Sequence, residues 1–178
     1  MRSLGPGPCS SPESFAFLNT ELTYNVGMVI DNVCVSSPDW SRYCSATTNS
    51  TGESARIGAF GSGSMAADSL ELHVTDLPPN TFGYFIVGTA PRLVANPGGS
   101  QGNLSVAGAI GRFQHILQSS SSGVVQMPVD WSTLPWLGGA PAIVLPGQTW
   151  NFQYYHRDRI NSLPVTNFSD GLSITLAP

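Results

Sequence analysis

Apolar residues recur at every second position in several short stretches of the chain, and turn-forming residues separate these stretches. In residues 70–74 apolar side chains alternate with polar ones, and residues 172–176 repeat the pattern. A period of two is typical of a β-strand that buries one face. Turn signals follow at roughly ten-residue intervals, which favours an all-β fold. We therefore expect an antiparallel β-sandwich with a jelly-roll-like arrangement.

The clearest predicted strand covers residues 148–158. Trp150, Phe152 and Tyr154 share one face, and Trp150 and Phe152 are expected in the core. The intervening polar residues fall on the opposite face: Thr149, Asn151 and Gln153. Three further strands are predicted at residues 82–87, 104–113 and 124–129. Pro128 favours an edge position or a bulge for the last of these, because proline cannot donate a hydrogen bond to a neighbouring strand. Residues 112–118 are the only candidate for a short helix.

The N-terminal part of the chain has a different character. Residues 26–35, with the sequence VGMVIDNVCV, are rich in β-branched residues and predict one strong strand. Residues 36–53 are polar and rich in turn-forming residues, which predicts a linker or loop. The chain is thus divided into an extended N-terminal arm, residues 1–40, and a β-sandwich domain, residues 41–178.

Charge is scarce in this sequence, and this limits the classes of function. Only 10% of the 178 residues are charged, lysine is absent, and the formal net charge is −4. A protein that binds nucleic acid presents a basic face, so no nucleic-acid partner is expected. No run of about 18 apolar residues occurs, so no membrane span is expected either.

Aromatic side chains provide the best candidates for a binding site. Flat rings can stack on the C–H groups of sugars, while Asn and Gln side chains bond the hydroxyls. The candidate residues for carbohydrate are Trp40, Trp131, Trp136 and Tyr155. The alternative for each ring is packing in the core. On the first interpretation, polysaccharide is a candidate partner.

Oxygen-bearing side chains near the end of the chain allow a calcium site in a loop. The candidate ligands are Asp158, Asn167 and Asp170, because calcium prefers carboxylate, amide and carbonyl oxygens. The alternative is that these side chains cap turns through hydrogen bonds to the backbone. No other cofactor is expected.

A hydrolase is a distant third interpretation. Ser62 or Ser64 could supply a nucleophile, His156 a base and Asp158 its partner. However, the sequence around the two serines lacks the closing glycine of the G-x-S-x-G turn, and no helix is predicted after it. We therefore expect no catalytic residues.

Three cysteines allow one disulfide with three possible pairings. Cys34 with Cys44 is the favoured pair because it closes a short loop, although Cys9 is also available and three reduced thiols are the alternative. No C-x-x-C pair or nearby histidine accompanies them, so a zinc site is not indicated.

Residues 43–178 resemble an uncharacterised C-terminal β-sandwich module of large secreted bacterial proteins. The resemblance lies in an ordered series of motifs: Leu77-Pro78-Pro79, residues 96–104, residues 146–153 and residues 167–171. It implies a terminal module appended to enzymes, adhesins or repeat proteins, with no activity assigned to it. The module has a cysteine where this chain has Ser105, and the loss of that cysteine would leave Cys44 to pair with Cys34 or Cys9. Residues 26–35 resemble the last strand of a jelly-roll module.

These observations favour a non-enzymatic, extracellular or cell-surface module with a structural or interaction role. The apolar strand at residues 26–35 suits donation to a neighbouring sheet in a filament or surface layer. The expected partners are other copies of the chain or a neighbouring domain of a parent protein. A carbohydrate-binding module is the alternative.

Overall fold

The structure is a computed structural model that describes residues 39–65, 69–135 and 142–177. Its regular elements are ten strands, together with short 3-10 turns at Pro97–Gly99 and Trp131–Thr133. The strands are β1 (Asp39–Tyr43), β2 (Arg56–Phe60), β3 (Glu71–Thr75), β4 (Phe82–Val94), β5 (Leu104–Arg112), β6 (Leu117–Gln118), β7 (Val125–Pro128), β8 (Thr149–Ile160), β9 (Leu163–Phe168) and β10 (Gly171–Thr175).

Two antiparallel sheets pack together around the core, which confirms the predicted all-β, sandwich-like fold. The large sheet has the order β1-β10-β8-β4-β5, with β6 paired to β4 and β9 paired to β8. The small sheet has the order β2-β3-β7. Strands β9 and β10 lie along the same side of β8, one after the other.

Alternation correctly predicts the inner faces of the sheets. Trp150, Phe152 and Tyr154 of β8 are buried, and they face Leu72 and Val74 of β3 in one hydrophobic cluster. Burial of these large side chains is the main favourable contribution to folding. Near the start of β4, Phe85 and Ile86 are buried on opposite faces.

The outer face of the large sheet is buried further than the sequence predicts. A second, smaller cluster of Ile86, Val106 and Phe168 covers part of it. Asn151 and Gln153 of β8 lie on this face and are also fully buried. Burial of such polar groups requires hydrogen-bond partners, and both side chains have them.

Two predictions of local structure are wrong. Residues 112–118 do not form a helix; their last two residues form β6, which pairs with Phe82 and Gly83. The predicted loop at residues 36–53 contains β1, because all five residues of this strand pair with β10. The predicted boundary between residues 40 and 41 therefore falls inside a strand. The strand predicted at residues 26–35, and the rest of residues 1–38, lie outside the described part of the chain.

The edges of the sheets differ in regularity. Pro128 lies in the edge strand β7, as predicted. In β5, Gly108 has a φ of 76° and the pairing with β4 shifts register twice, which is the geometry of β-bulges. Strand β2 contains neither a proline nor a bulge, and it pairs with β3 without a register shift. No helix in the described residues is long and apolar enough to cross a membrane.

Candidate functional site

A groove of about 340 Å³ lies between β1 and the edge of the small sheet. We call it the β2 groove. Its lining residues come from β1, β2 and β3 and the turn after β3: Trp40, Arg42, Arg56, Ile57, Gly58, Ala59, Phe60, His73, Thr75 and Asp76. It contains two exposed aromatic residues, Trp40 at 38% and Phe60 at 56% exposure.

The groove exists because the large sheet extends past the small one. Trp40 pairs with Ile174 of β10, and Ile174 is a core residue. Cross-strand partners share a face, so Trp40 lies on the inner side of β1. In the described residues the small sheet ends at β2, and no further strand covers Trp40.

The backbone of β2 is only partly bonded along its free edge. The Ile57 N–H donates to the Asp170 carboxylate at 2.7 Å, and the Asp170 N–H donates to the Ala55 carbonyl at 3.2 Å. Backbone groups of an edge strand alternate between partner and free side. The N–H and C=O of Ala59 therefore point to the same free side, and the described residues provide no partner for them.

Two arginines and two carboxylates flank the groove. Arg56 lies 3.8 Å from Asp76, and Arg42 lies 4.0 Å from Asp170. Burial raises the pKa of Asp170 to about 6, although the Ile57 N–H and Arg42 favour its charged form. The groove is therefore nearly balanced in charge at neutral pH.

A stacked pair forms one wall of the groove. The rings of Phe60 and His73 lie 4.1 Å apart and almost parallel. Gly58 makes this possible, because a Cβ at that position would lie 2.5 Å from the His73 imidazole. Burial lowers the pKa of His73, which favours the neutral ring.

The predicted carbohydrate residues do not come together. Trp131 is 3% exposed and packs edge-on to Phe152, so its predicted role as a surface platform is corrected to core packing. Tyr155 stacks on Tyr84 at 4.7 Å, and Phe168 packs against its ring at 5.3 Å. Trp136 lies outside the described residues, which leaves Trp40 as the exposed candidate.

The structure brings two of the three predicted calcium ligands together. Asn167 donates to Asp158 at 3.4 Å, and both side chains are buried. Asp170 instead bonds Ile57 at the groove. Asp158 accepts the N–H groups of Ser50 and Arg159. Its contacts match the alternative role, an anchor for a loop, and calcium binding stays a prediction. The described residues contain no group of three or more His, Cys, Asp or Glu side chains that could hold a metal ion.

Asp158 and Asn167 together secure the loop of residues 44–54. Asn167 donates to the carbonyls of Thr47 and Thr48 at 3.4–3.5 Å. Within the loop, Asn49 donates to the Asp76 carbonyl at 2.6 Å. Cys44 begins the loop and is disulfide-bonded. Cys34 and Cys9 lie outside the described residues, so the pairing with Cys34 stays a prediction.

We expect Asp158→Asn to loosen this loop and reduce the free energy of unfolding by about 1–2 kcal/mol, because the amide cannot accept all of the present hydrogen bonds. Urea denaturation measures the change, and Glu53→Gln on the exposed side of the loop is the control. Repeating the measurement with Ca²⁺ separates the two roles. A stabilisation by Ca²⁺ that Asp158→Asn abolishes would show that the carboxylate is a ligand, not only an anchor.

The residues of the hydrolase interpretation do not form a hydrogen-bonded triad in the described part of the chain. His156 is fully buried, and its Nδ1 lies 3.2 Å from the Arg157 carbonyl. Its pKa is lowered by burial. Ser64 donates its N–H to the Ser62 hydroxyl. No hydrogen bond in the described part of the chain joins either serine to His156.

Sequence reasoning missed Arg56, Phe60 and His73 as site residues. The segment 56–60 is short, and one of its two inner positions is only an alanine. The sequence signal that could have identified this edge strand is Phe60, an aromatic residue at an outward position at the end of a short β-pattern without proline.

The comparisons with known proteins give no relatives: no family model matches the chain, no curated protein matches it, and no solved structure matches it. The function must therefore be argued from the residues themselves.

Proposed function

We propose that the chain is a non-enzymatic, extracellular structural module that assembles with other copies of itself by strand donation. The observation that carries this proposal is the regular edge of β2, whose backbone is free at Ala59 in the described residues. An edge strand with unbonded N–H and C=O groups is a template for a strand from another chain.

The contrast between edges supports the proposal. Proteins commonly protect edges with bulges or proline. In the small sheet β7 has Pro128, and in the large sheet β5 has the bulge at Gly108. Strands β1 and β2 have neither, and the exposed ring of Phe60 stands at the end of β2.

Two further features support an extracellular location and the close packing of copies. A disulfide at Cys44 is typical of proteins in oxidising compartments. The low charge of the chain, 10% of residues, limits repulsion between closely packed copies. The resemblance to a secreted module agrees with both.

The proposal predicts that the full chain forms multimers in a concentration-dependent way. Light scattering after size-exclusion chromatography and negative-stain microscopy measure this. The double variant Val29→Asp/Ile30→Asp places a charge on each face of the predicted donor strand and should raise the assembly concentration at least about tenfold. Ile143→Asp is the control, because Ile143 is 81% exposed at another site.

A wild-type chain that stays monomeric at all concentrations would contradict the proposal. The alternative is a carbohydrate-binding module, and the exposed ring of Trp40 beside polar groups favours it. A monomer that binds glycans and loses this binding in Trp40→Ala would support the alternative.

A further inference from the structure

We infer that residues 26–35 of one copy bind in the β2 groove of the next copy, as a fourth strand of the small sheet. This inference rests on the proposed function and names both the acceptor edge and the donor segment. The argument depends on the width of the two sheets, the reach of the linker and the chemistry of the segment.

The first argument is that the small sheet leaves inner residues of β1 uncovered. Trp40 and Arg42 of β1 pair with the core residues Ile174 and Leu172, so they occupy inner positions. No strand of the small sheet lies over them in the described residues. A strand added beside β2 would cover Trp40 and would bond the free backbone groups of Ala59.

The second argument is that the donor segment is attached next to the groove. Only residues 36–38 separate the predicted strand at residues 26–35 from β1. These three residues have the sequence Ser-Ser-Pro, and a residue before proline favours an extended backbone. An exchanged strand makes the same contacts in a neighbouring copy as it would make in its own copy, so the exchange costs little free energy.

The third argument is chemical complementarity. The segment is apolar on both faces except for Asn32 and Asp31, and Asp31 is its only charged residue. The groove offers an exposed apolar ring at Trp40, and its charges are nearly balanced because Arg42 lies near Asp170 and Arg56 near Asp76. A largely apolar strand with a single carboxylate fits these walls.

The test mixes two full-length variants. Val29→Asp/Ile30→Asp damages the donor segment, and Phe60→Lys places a charge at the acceptor edge. Each variant alone should need at least about tenfold higher concentration to assemble. In a mixture, the intact donor segment of Phe60→Lys can bind the intact acceptor edge of Val29→Asp/Ile30→Asp, and no other junction is intact. The mixture should therefore form a heterodimer that stops at two copies. Phe82→Lys is the matched control, because Phe82 is 50% exposed on the other sheet.

Hydrogen exchange at the Ala59 amide gives a second measurement that does not depend on the variants. The inference expects this amide to be protected in the assembled wild type and to exchange at least about tenfold faster after dilution to the monomer. Assembly of Phe60→Lys at wild-type concentrations, together with an unprotected Ala59 amide, would overturn the acceptor assignment and leave the proposed function standing. A monomeric wild type with a protected Ala59 amide would overturn exchange between copies, because each groove would be closed by its own chain.

Discussion

Replacing Gln153 with leucine should reduce the free energy of unfolding by about 3–5 kcal/mol. Its Oε1 accepts the Ser105 N–H at 2.8 Å, and its Nε2 donates to the carbonyls of Asn103 and Ser169 at 2.8 and 2.7 Å. The side chain is fully buried. The leucine variant leaves three buried backbone groups without this partner, and each such group costs about 1–3 kcal/mol.

Chemical denaturation monitored by far-ultraviolet circular dichroism measures this change. Gln126→Leu is the matched control, because Gln126 is an exposed residue of β7, and we expect it to change the unfolding free energy by less than about 0.5 kcal/mol. A loss below about 1 kcal/mol for Gln153→Leu would show that water replaces the lost partners and that this part of the sheet is not tightly packed.

Gln153 also shows where sequence reasoning reaches its limit. A period of two correctly places Trp150 and Phe152 of β8 in the core, because alternation is a local property of one strand. The same alternation indicates that Gln153 faces away from the core but does not indicate how exposed that face is. The burial of Gln153 depends on Ser105 in β5 and on Ser169 between β9 and β10. These residues are 48 and 16 positions from Gln153 in the sequence.

Strand β1 was missed for a related reason. Its sequence DWSRY has no clear alternation, and it is a strand because five consecutive residues pair with β10 at the opposite end of the chain. Long-range pairing of this kind overrides local propensity. The β2 groove depends on the same pairing, because it is the position of β1 beyond the small sheet that leaves Trp40 uncovered. The sequence alone therefore predicts the fold class, the core strands and the edge position of Pro128, but not this groove.

The second large effect is expected from Asp170→Asn, as a change in how stability depends on pH. Burial raises the pKa of Asp170 from 3.8 to about 6 in the folded chain. The folded state therefore favours the protonated carboxyl. Its contribution to stability is fully present below pH 3.8, decreases as the pH rises, and is lost above about 6. A shift of this size corresponds to about 2–3 kcal/mol.

Asparagine cannot ionise, and its side-chain oxygen can still accept the Ile57 N–H. We therefore expect Asp170→Asn to be more stable than the wild type by up to about 2 kcal/mol above pH 7 and similar to it near pH 4. Urea denaturation at several pH values measures the difference. A variant that is less stable than the wild type above pH 7 would show instead that the ion pair with Arg42, at 4.0 Å, outweighs the cost of burying the charge.

Asp130→Asn is a control of opposite sign. Hydrogen bonds from Ser132 lower the pKa of Asp130, which precedes the turn at Trp131–Thr133. Its contribution to stability is present above the ordinary pKa of an aspartate and is lost as the pH falls. Asp130→Asn should therefore be less stable than the wild type near pH 7 and should approach it on acidification. Opposite slopes for the two variants in one set of measurements would show that local burial and hydrogen bonding, and not net charge, determine the pH dependence. Equal slopes would contradict this, because both substitutions remove the same single negative charge.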